Sequence, residues 1–256
     1  AKVVRLEDYA DLLALHRPWL SRDAQRLRDT MAHQLDAATR LAAYGYGGVR
    51  LGGATPYVIT PHDGAYIDLV KLLTRYQPIR SRAEADAWLE RLRGMPNAML
   101  DEQRRFSLDV DSGAAPPRTV LERTLAQARF LTPASPRDNI LINHLRAQLA
   151  QVAGLPAEEA LRIEGEAATL IEDQLLPAYA RLIEQLLRTR AAAREAPGVW
   201  ALPRGEAYYR DALRLTAGTE LAPDDLGDIG ARLVELYTAE LDAALAQLGL
   251  AEGSVG

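Results

Sequence analysis

The spacing of apolar residues constrains this chain most, because they recur about every three to four positions along nearly its whole length. That period matches the turn of an α-helix and not the two-residue alternation of a strand. The sequence therefore predicts an all-α protein, a multi-helix array with long kinked helices. A chain of 256 residues is long enough to bury a sizeable core.

Serine caps and prolines give the helix boundaries. Ser21 is expected to cap a helix that runs to about Ala43, and the capping box Ser81–Glu84 opens a helix that Pro96 is expected to end. Further helices are predicted over residues 5–16, 65–76, 97–110, 118–131, 156–195 and 206–215.

Two further prolines shape the C-terminal part of the chain. Pro177 predicts a kink or a helix boundary just before it, because proline removes a backbone donor and clashes with the preceding turn. Pro223 stands at a first-turn position and opens the last predicted helix. The apolar stripe of that helix comprises Leu226, Ile229, Leu233, Tyr237, Leu241 and Leu245.

One stretch breaks the helical pattern: residues 44–64, YGYGGVRLGGATPYVITPHDG, which contain six of the eighteen glycines. Glycine permits positive φ and close backbone approach, so this stretch predicts a loop, with a small hairpin expected around Tyr57–Thr60. It matches neither Gly-Lys-Ser/Thr nor Gly-x-Gly-x-x-Gly, so a phosphate-binding loop is not predicted.

Composition excludes several classes of function. The net charge of −5 argues against a nucleic-acid partner, which needs a concentrated basic face. No apolar run approaches the ~20 residues that span a bilayer. The absence of cysteine rules out disulfides and thiolate chemistry.

No catalytic or metal-ligating residue is predicted in this chain. The histidines stand at positions 16, 33, 62 and 144, too far apart for two imidazoles to face a metal from one helix. Neither Gly-x-Ser-x-Gly nor Ser-x-x-Lys occurs. His62, beside Asp63 in the glycine-rich loop, is a candidate ligand contact, although a turn at Asp63–Gly64 explains the pair about as well.

Several segments together resemble one family, the bacterial DUF885 proteins, which look like distant relatives of the M32 carboxypeptidases. The most specific segment is GVWALPRGEAYYRDALRLTAGTELAPDDLGDIG at residues 198–230. The others are PYVITPHDG at 56–64, RSRAEADAWLERLRGMP at 80–96, GAAPPR at 113–118 and LPAY at 176–179.

The resemblance implies that residues 1–256 form a single helical region, the N-terminal half of a longer DUF885-type domain. The family's zinc motif, His-Glu-x-x-x-Gly-His, belongs to a half that would follow Gly256. The expected function is therefore the cleft-forming half of a zinc-dependent, carboxypeptidase-like metallopeptidase, inactive by itself and without zinc of its own. The alternative is a non-catalytic helical scaffold or binding protein.

The resemblance also suggests substrate, partners and location. A peptide or small amide is the expected substrate, and the family resemblance favours a periplasmic or secreted protein. The side chains expected near the substrate are Tyr57, His62, Arg204, Tyr208 and Tyr209. For the two adjacent tyrosines, core packing is the competing interpretation, and the family loop usually has glutamine where His62 stands.

The expected partner is the C-terminal half of the same protein, or a second copy of the chain. Either partner requires an exposed apolar surface to cover. That surface is expected on the last helix and near Tyr208 and Trp200.

Overall fold

The computed structural model describes residues 21–50, 53–133, 135, 138–196 and 198–250. The chain divides into two units, a terminal unit of residues 1–41 and 206–256 and a central unit of residues 42–205. The helix predicted over residues 5–16 lies outside the described residues.

The regular secondary structure of the described residues is helical apart from one short hairpin, which confirms the predicted all-α class. The α-helices are α1 (Arg22–Ala42), α2 (Ala65–Lys71), α3 (Arg82–Asp111), α4 (Arg118–Phe130), α5 (Ile140–Leu149), α6 (Ala157–Leu170), α7 (Leu176–Ala191), α8 (Gly205–Ala217) and α9 (Pro223–Gln247). The described residues also form two π-helical segments. Leu72–Tyr76 directly follows α2, and Ile171–Leu175 connects α6 to α7.

The hairpin lies inside the predicted loop but not at the predicted place. Strands β1 (Gly48–Arg50) and β2 (Gly53–Thr55) pair antiparallel, with Gly48 opposite Thr55. Gly47 approaches the second strand so closely that an added Cβ would lie 2.4 Å from the Thr55 carbonyl oxygen. The expectation of a hairpin around residues 57–60 is therefore wrong, because the close approach needs the glycines that precede Pro56.

Helix α3 continues through Pro96, so the prediction that this proline ends a helix is wrong. Leu92, Met95 and Met99 are each about 1% exposed around it. Burying a side chain of this kind contributes about 1.5–3 kcal/mol, so together the three exceed the ~3 kcal/mol that an interior proline costs. The Ser81 capping box does open this helix, with the Ser81 hydroxyl accepting from the Glu84 backbone N–H.

The long helix predicted over residues 156–195 changes its hydrogen bonding just before Pro177, as expected. Helix α6 ends at Leu170, the π-helical segment covers Ile171–Leu175, and α7 begins at Leu176 with the proline in its first turn. The change to π-helical bonding thus comes directly before the proline, where its missing N–H and the clash of its ring with the preceding turn disturb the α-helical pattern.

The core of the central unit forms where α3, α4, α6 and α7 pack together. Trp88 is fully buried, and its indole N–H donates to the Leu73 carbonyl at 3.0 Å. Tyr179 of α7 is equally buried and donates its hydroxyl to the Tyr66 carbonyl. These bonds satisfy the polar ends of large aromatic side chains inside the core.

The terminal unit buries far less. Its most enclosed side chains are Ala37, Leu41 and Tyr208, and His33 bonds the Arg214 carbonyl through Nε2 at 3.0 Å. Helix α9 has no buried residue. Exposed apolar side chains are therefore present on α9, where they were expected. In the central unit Trp200 is 73% exposed, whereas Tyr208 of the terminal unit is 2% exposed and does not contribute to an exposed surface.

Candidate functional site

The glycine-rich stretch is held against α3 by a buried carboxylate. Asp109, which is 2% exposed, accepts from the Gly47 backbone N–H at 3.0 Å and from Arg105 Nε at 2.7 Å. Arg105 also donates from Nη2 to the Gly45 carbonyl at 3.1 Å. A loop tied down in this way positions its side chains without needing helical structure of its own.

Two tyrosine hydroxyls lie next to this anchored loop. Tyr46 donates to the Pro203 carbonyl at 2.8 Å, and burial raises its pKa to about 12, against a smaller opposing effect of Arg204. The Tyr57 hydroxyl accepts from Arg194 Nη2 at 2.8 Å, and burial raises its pKa as well. Both phenols are therefore neutral hydrogen-bonding groups at neutral pH.

The Arg194 side chain donates hydrogen bonds to two backbone carbonyls as well as to the Tyr57 hydroxyl. Its Nη1 donates to the Ala115 carbonyl at 2.8 Å and its Nε to the Ala196 carbonyl at 3.3 Å. All its contacts are to neutral oxygens of the surrounding chain, which assigns Arg194 a positioning role for the Tyr57 hydroxyl.

Arg204 is the most unusual residue of this region. Among the described residues it alone is a non-glycine with positive φ, at 55°. The turn after it is very tight, since a Cβ on Gly205 would lie 1.9 Å from the Val199 carbonyl oxygen. The exposed guanidinium lies 4.4 Å from the centroid of the Tyr44 ring, a cation–π contact.

No carboxylate within the described ranges lies at ion-pair distance from Arg204. A backbone held in a sparsely populated conformation is a common feature of ligand-binding sites. We refer to Tyr44, Tyr46, Tyr57, Arg194 and Arg204 as the Tyr–Arg cluster.

The segment Thr60–Gly64 forms a separate, tightly bonded turn. The Thr60 hydroxyl accepts from the backbone N–H groups of His62 and Asp63, at 3.2 and 3.0 Å. Tyr66 donates its hydroxyl to the Thr60 carbonyl at 2.7 Å, and Lys71 donates to the His62 carbonyl at 2.7 Å. The turn interpretation of Asp63–Gly64 thus describes the local bonding, and His62 is exposed on its surface.

The five predicted cleft residues fall into three groups. Tyr57 and Arg204 both belong to the Tyr–Arg cluster, where both influence the hydroxyl of Tyr46. Within the described residues, no hydrogen bond, ion pair or ring contact joins the His62 side chain to that cluster. Tyr208 and Tyr209 lie in the terminal unit, the first buried and the second 44% exposed, so core packing is the structural role of Tyr208.

Five residues of this region were not predicted: Tyr44, Tyr46, Arg105, Asp109 and Arg194. The sequence indicates a site role for Asp109 and Arg105 only weakly, because oppositely charged residues four apart on a helix usually form ordinary surface ion pairs. Their role depends on the glycine-rich loop, which lies about sixty residues away in sequence.

The described residues do not provide a zinc site. No group of three His, Cys, Asp or Glu side chains among them could hold a metal ion. A protein zinc site needs about three or four such ligands in fixed geometry. In the same described part of the chain, no helix is long and apolar enough to cross a membrane.

Comparison with known proteins gives a match to a family model and similarity to solved structures. The model of the family described as bacterial protein of unknown function (DUF885) matches residues 2–256. A crystal structure of a "putative lipoprotein" from Colwellia psychrerythraea superposes with a TM-score of 0.88 at 20% identity, over 99% of this chain and 43% of that chain. The chain thus spans less than half the length of that structure, and no curated protein matches it.

Proposed function

Because the chain belongs to the DUF885 family, we propose that it forms the substrate-facing wall of a larger peptidase-like protein. In this proposal, zinc is bound by the part of the larger protein that carries the family's His-Glu-x-x-x-Gly-His motif, which does not occur in these 256 residues. The chain's own task is to bind and orient a peptide or small amide substrate.

The observation that carries the proposal is the geometry of Arg204. Its guanidinium is exposed, is stacked on Tyr44 and has no described carboxylate partner. A guanidinium presents several N–H donors in a rigid fork that matches a carboxylate or a pair of carbonyl oxygens. Stacking on the ring restricts the motion of the fork, so less conformational entropy is lost when a ligand binds.

The tyrosines of the cluster support this geometry. Because the pKa of Tyr46 is about 12, its hydroxyl stays protonated and keeps its bond to the Pro203 carbonyl, next to Arg204. The Asp109 contact to Gly47 fixes the loop that carries Tyr44 and Tyr46. The wall is therefore rigid before substrate arrives, as preorganised binding requires.

Binding of short peptides to the 256-residue chain tests this role. We expect Arg204→Gly, which suits the positive φ, to weaken binding about tenfold, and Arg204→Lys to weaken it less, because charge is kept but the fork is lost. Arg123→Ala, which removes another exposed guanidinium without a described partner, is the matched control and should bind as the wild type does. Isothermal titration calorimetry with peptides bearing free or amidated C-termini provides the measurement.

The same experiment separates this proposal from the scaffold alternative. A non-catalytic scaffold would bind peptides no better than the Arg204→Gly variant does. Equal affinities for the wild type, Arg204→Gly and Arg123→Ala would therefore reject a substrate role for the Tyr–Arg cluster.

We also propose that the protein works outside the cytoplasm. The similarity to a structure described as a lipoprotein supports this location. Fractionation of the producing bacterium should place the protein with periplasmic, envelope or secreted markers, and recovery with cytoplasmic markers would contradict the proposal.

A further inference from the structure

Helix α9 exposes a continuous apolar face. Leu233, Val234, Tyr237 and Leu241 are between 41% and 67% exposed, and together with Thr238 they line a shallow groove along the helix. These positions follow the helical period, so they lie on adjacent turns of one side. Contiguous exposed apolar side chains of this size mark interaction surfaces in soluble proteins.

The charges of α9 indicate what covers this face. Its sequence contains six acidic residues and a single basic one, Arg232. None of these charges has an ion-pair partner among the described residues. A second copy of the chain would bring an equally acidic helix against this one, and an anionic lipid surface would be repelled in the same way.

Glu240 adds a specific requirement. It stands three residues after Tyr237 and four after Leu236, so it lies on the apolar face and not opposite to it. A carboxylate covered by a purely apolar partner would lose its hydration without compensation, which is costly. The partner must therefore bring a cation to this position.

We propose that the apolar face of α9 docks a basic amphipathic helix, supplied by the polypeptide that completes the longer fold seen in the Colwellia structure. That structure contains more than twice the chain matched here, so it has polypeptide available to cover the face. A helix fits because ridges of side chains on one helix pack into the groove of another. The inference rests on one element of the proposed function, namely that this chain is part of a larger protein. It does not depend on zinc or on the Tyr–Arg cluster.

Peptide binding to the 256-residue chain tests the proposal. The probes are two fluorescent helical peptides of about 18 residues with the same leucine stripe, one flanked by lysines and one by glutamates. We expect the lysine peptide to bind at least about tenfold more tightly, with affinity that falls as salt is raised. Glu240→Lys should reduce or reverse this preference.

The matched control is Glu235→Lys, which makes the same change of charge on the opposite side of the helix and should alter the preference less than about twofold. Circular dichroism verifies that both variants keep their helices. Arg204→Gly should leave this binding unchanged, so failure here is distinguishable from failure of the proposed substrate role.

Four results would overturn the proposal: equal binding of the two peptides, equal effects of Glu240→Lys and Glu235→Lys, dimerisation of the wild-type chain that Glu240→Lys strengthens, or binding to anionic phospholipid vesicles. The first two would remove the charge requirement. The third would show that the face pairs with a second copy, and the fourth that it binds a membrane.

Discussion

At the scale of single residues, Asp109 holds the glycine-rich loop of the candidate site against α3. It is nearly inaccessible to solvent, yet it accepts from the Gly47 N–H and from Arg105. A buried carboxylate with these two donors is satisfied, whereas either donor would lose its partner if the carboxylate were removed.

We expect Asp109→Ala to lower the free energy of unfolding by about 1–3 kcal/mol, because the buried Gly47 N–H is left without an acceptor. Urea unfolding followed by circular dichroism measures the change. Asp101→Ala, on the same helix, removes an exposed ion pair with Arg104 and should cost less than about 1 kcal/mol. Equal effects of the two substitutions would show that Asp109 does not anchor the loop.

His144 makes stability depend on pH. Its Nε2 is enclosed without a described hydrogen-bond partner, and burial lowers its pKa. The unfolded chain therefore binds a proton at this residue more readily than the folded chain does, and stability falls as pH drops below the ordinary histidine pKa of about 6.5.

The urea concentration at the midpoint of unfolding should therefore fall less in His144→Gln than in the wild type as the pH is lowered from about 7.5 to 5.5. His62→Gln is the control, because His62 is exposed in a surface turn and its replacement removes no enclosed ring. A decline that is just as steep in His144→Gln as in the wild type would assign the acid sensitivity to other groups.

At the scale of elements, α3 shows how burial overrides a local helix breaker. Pro96 leaves the Leu92 carbonyl without its helical donor, yet buried side chains on both sides keep the helix continuous from Arg82 to Asp111. The proline therefore destabilises the helix locally without ending it.

Pro96→Ala should raise the free energy of unfolding by about 1 kcal/mol or more, since it restores a backbone donor in a helix interior. Pro78→Ala is the control, because Pro78 is exposed in a non-helical connection and its replacement should not stabilise the protein. The urea midpoints of both variants provide the measurement. A lower free energy of unfolding in Pro96→Ala than in the wild type would contradict the prediction and show that the packing around α3 favours proline at this position.

At the scale of the whole molecule, the two units differ in how much they bury. The central unit contains the continuous core around Trp88 and Tyr179, whereas α9 has no buried residue. Local opening free energies follow the number of buried apolar contacts, so the two units should not open together.

Amide hydrogen exchange of the 256-residue chain should show this difference. We expect amides of α3 and α7 to exchange at least about 100-fold more slowly than those of α9, each factor of ten corresponding to about 1.4 kcal/mol. Binding of the lysine-flanked peptide should protect α9 selectively. Protection of α9 equal to that of α7 in the free chain would contradict the exposure of its apolar face.

Sequence alone determined the features that depend on interactions between residues close together in the chain. The helical period fixed the all-α class, the Ser81 capping box located the start of α3, and Pro177 marked a change of bonding. Each of these signals acts within one or two turns of the chain. The same helical period extends over α5 and includes His144, but no boundaries were predicted for that helix, although Asn139 caps it.

Tertiary structure decided the rest, because the decisive contacts join residues far apart in sequence. The position of the hairpin depends on the approach of Gly47 to Thr55, and the continuity of α3 depends on the core around Pro96. In the candidate site, sequence pointed to Tyr57 and Arg204 but not to the contacts that position them. Contacts of that kind stabilise by burial and hydrogen bonding across the whole unit, which no local pattern encodes.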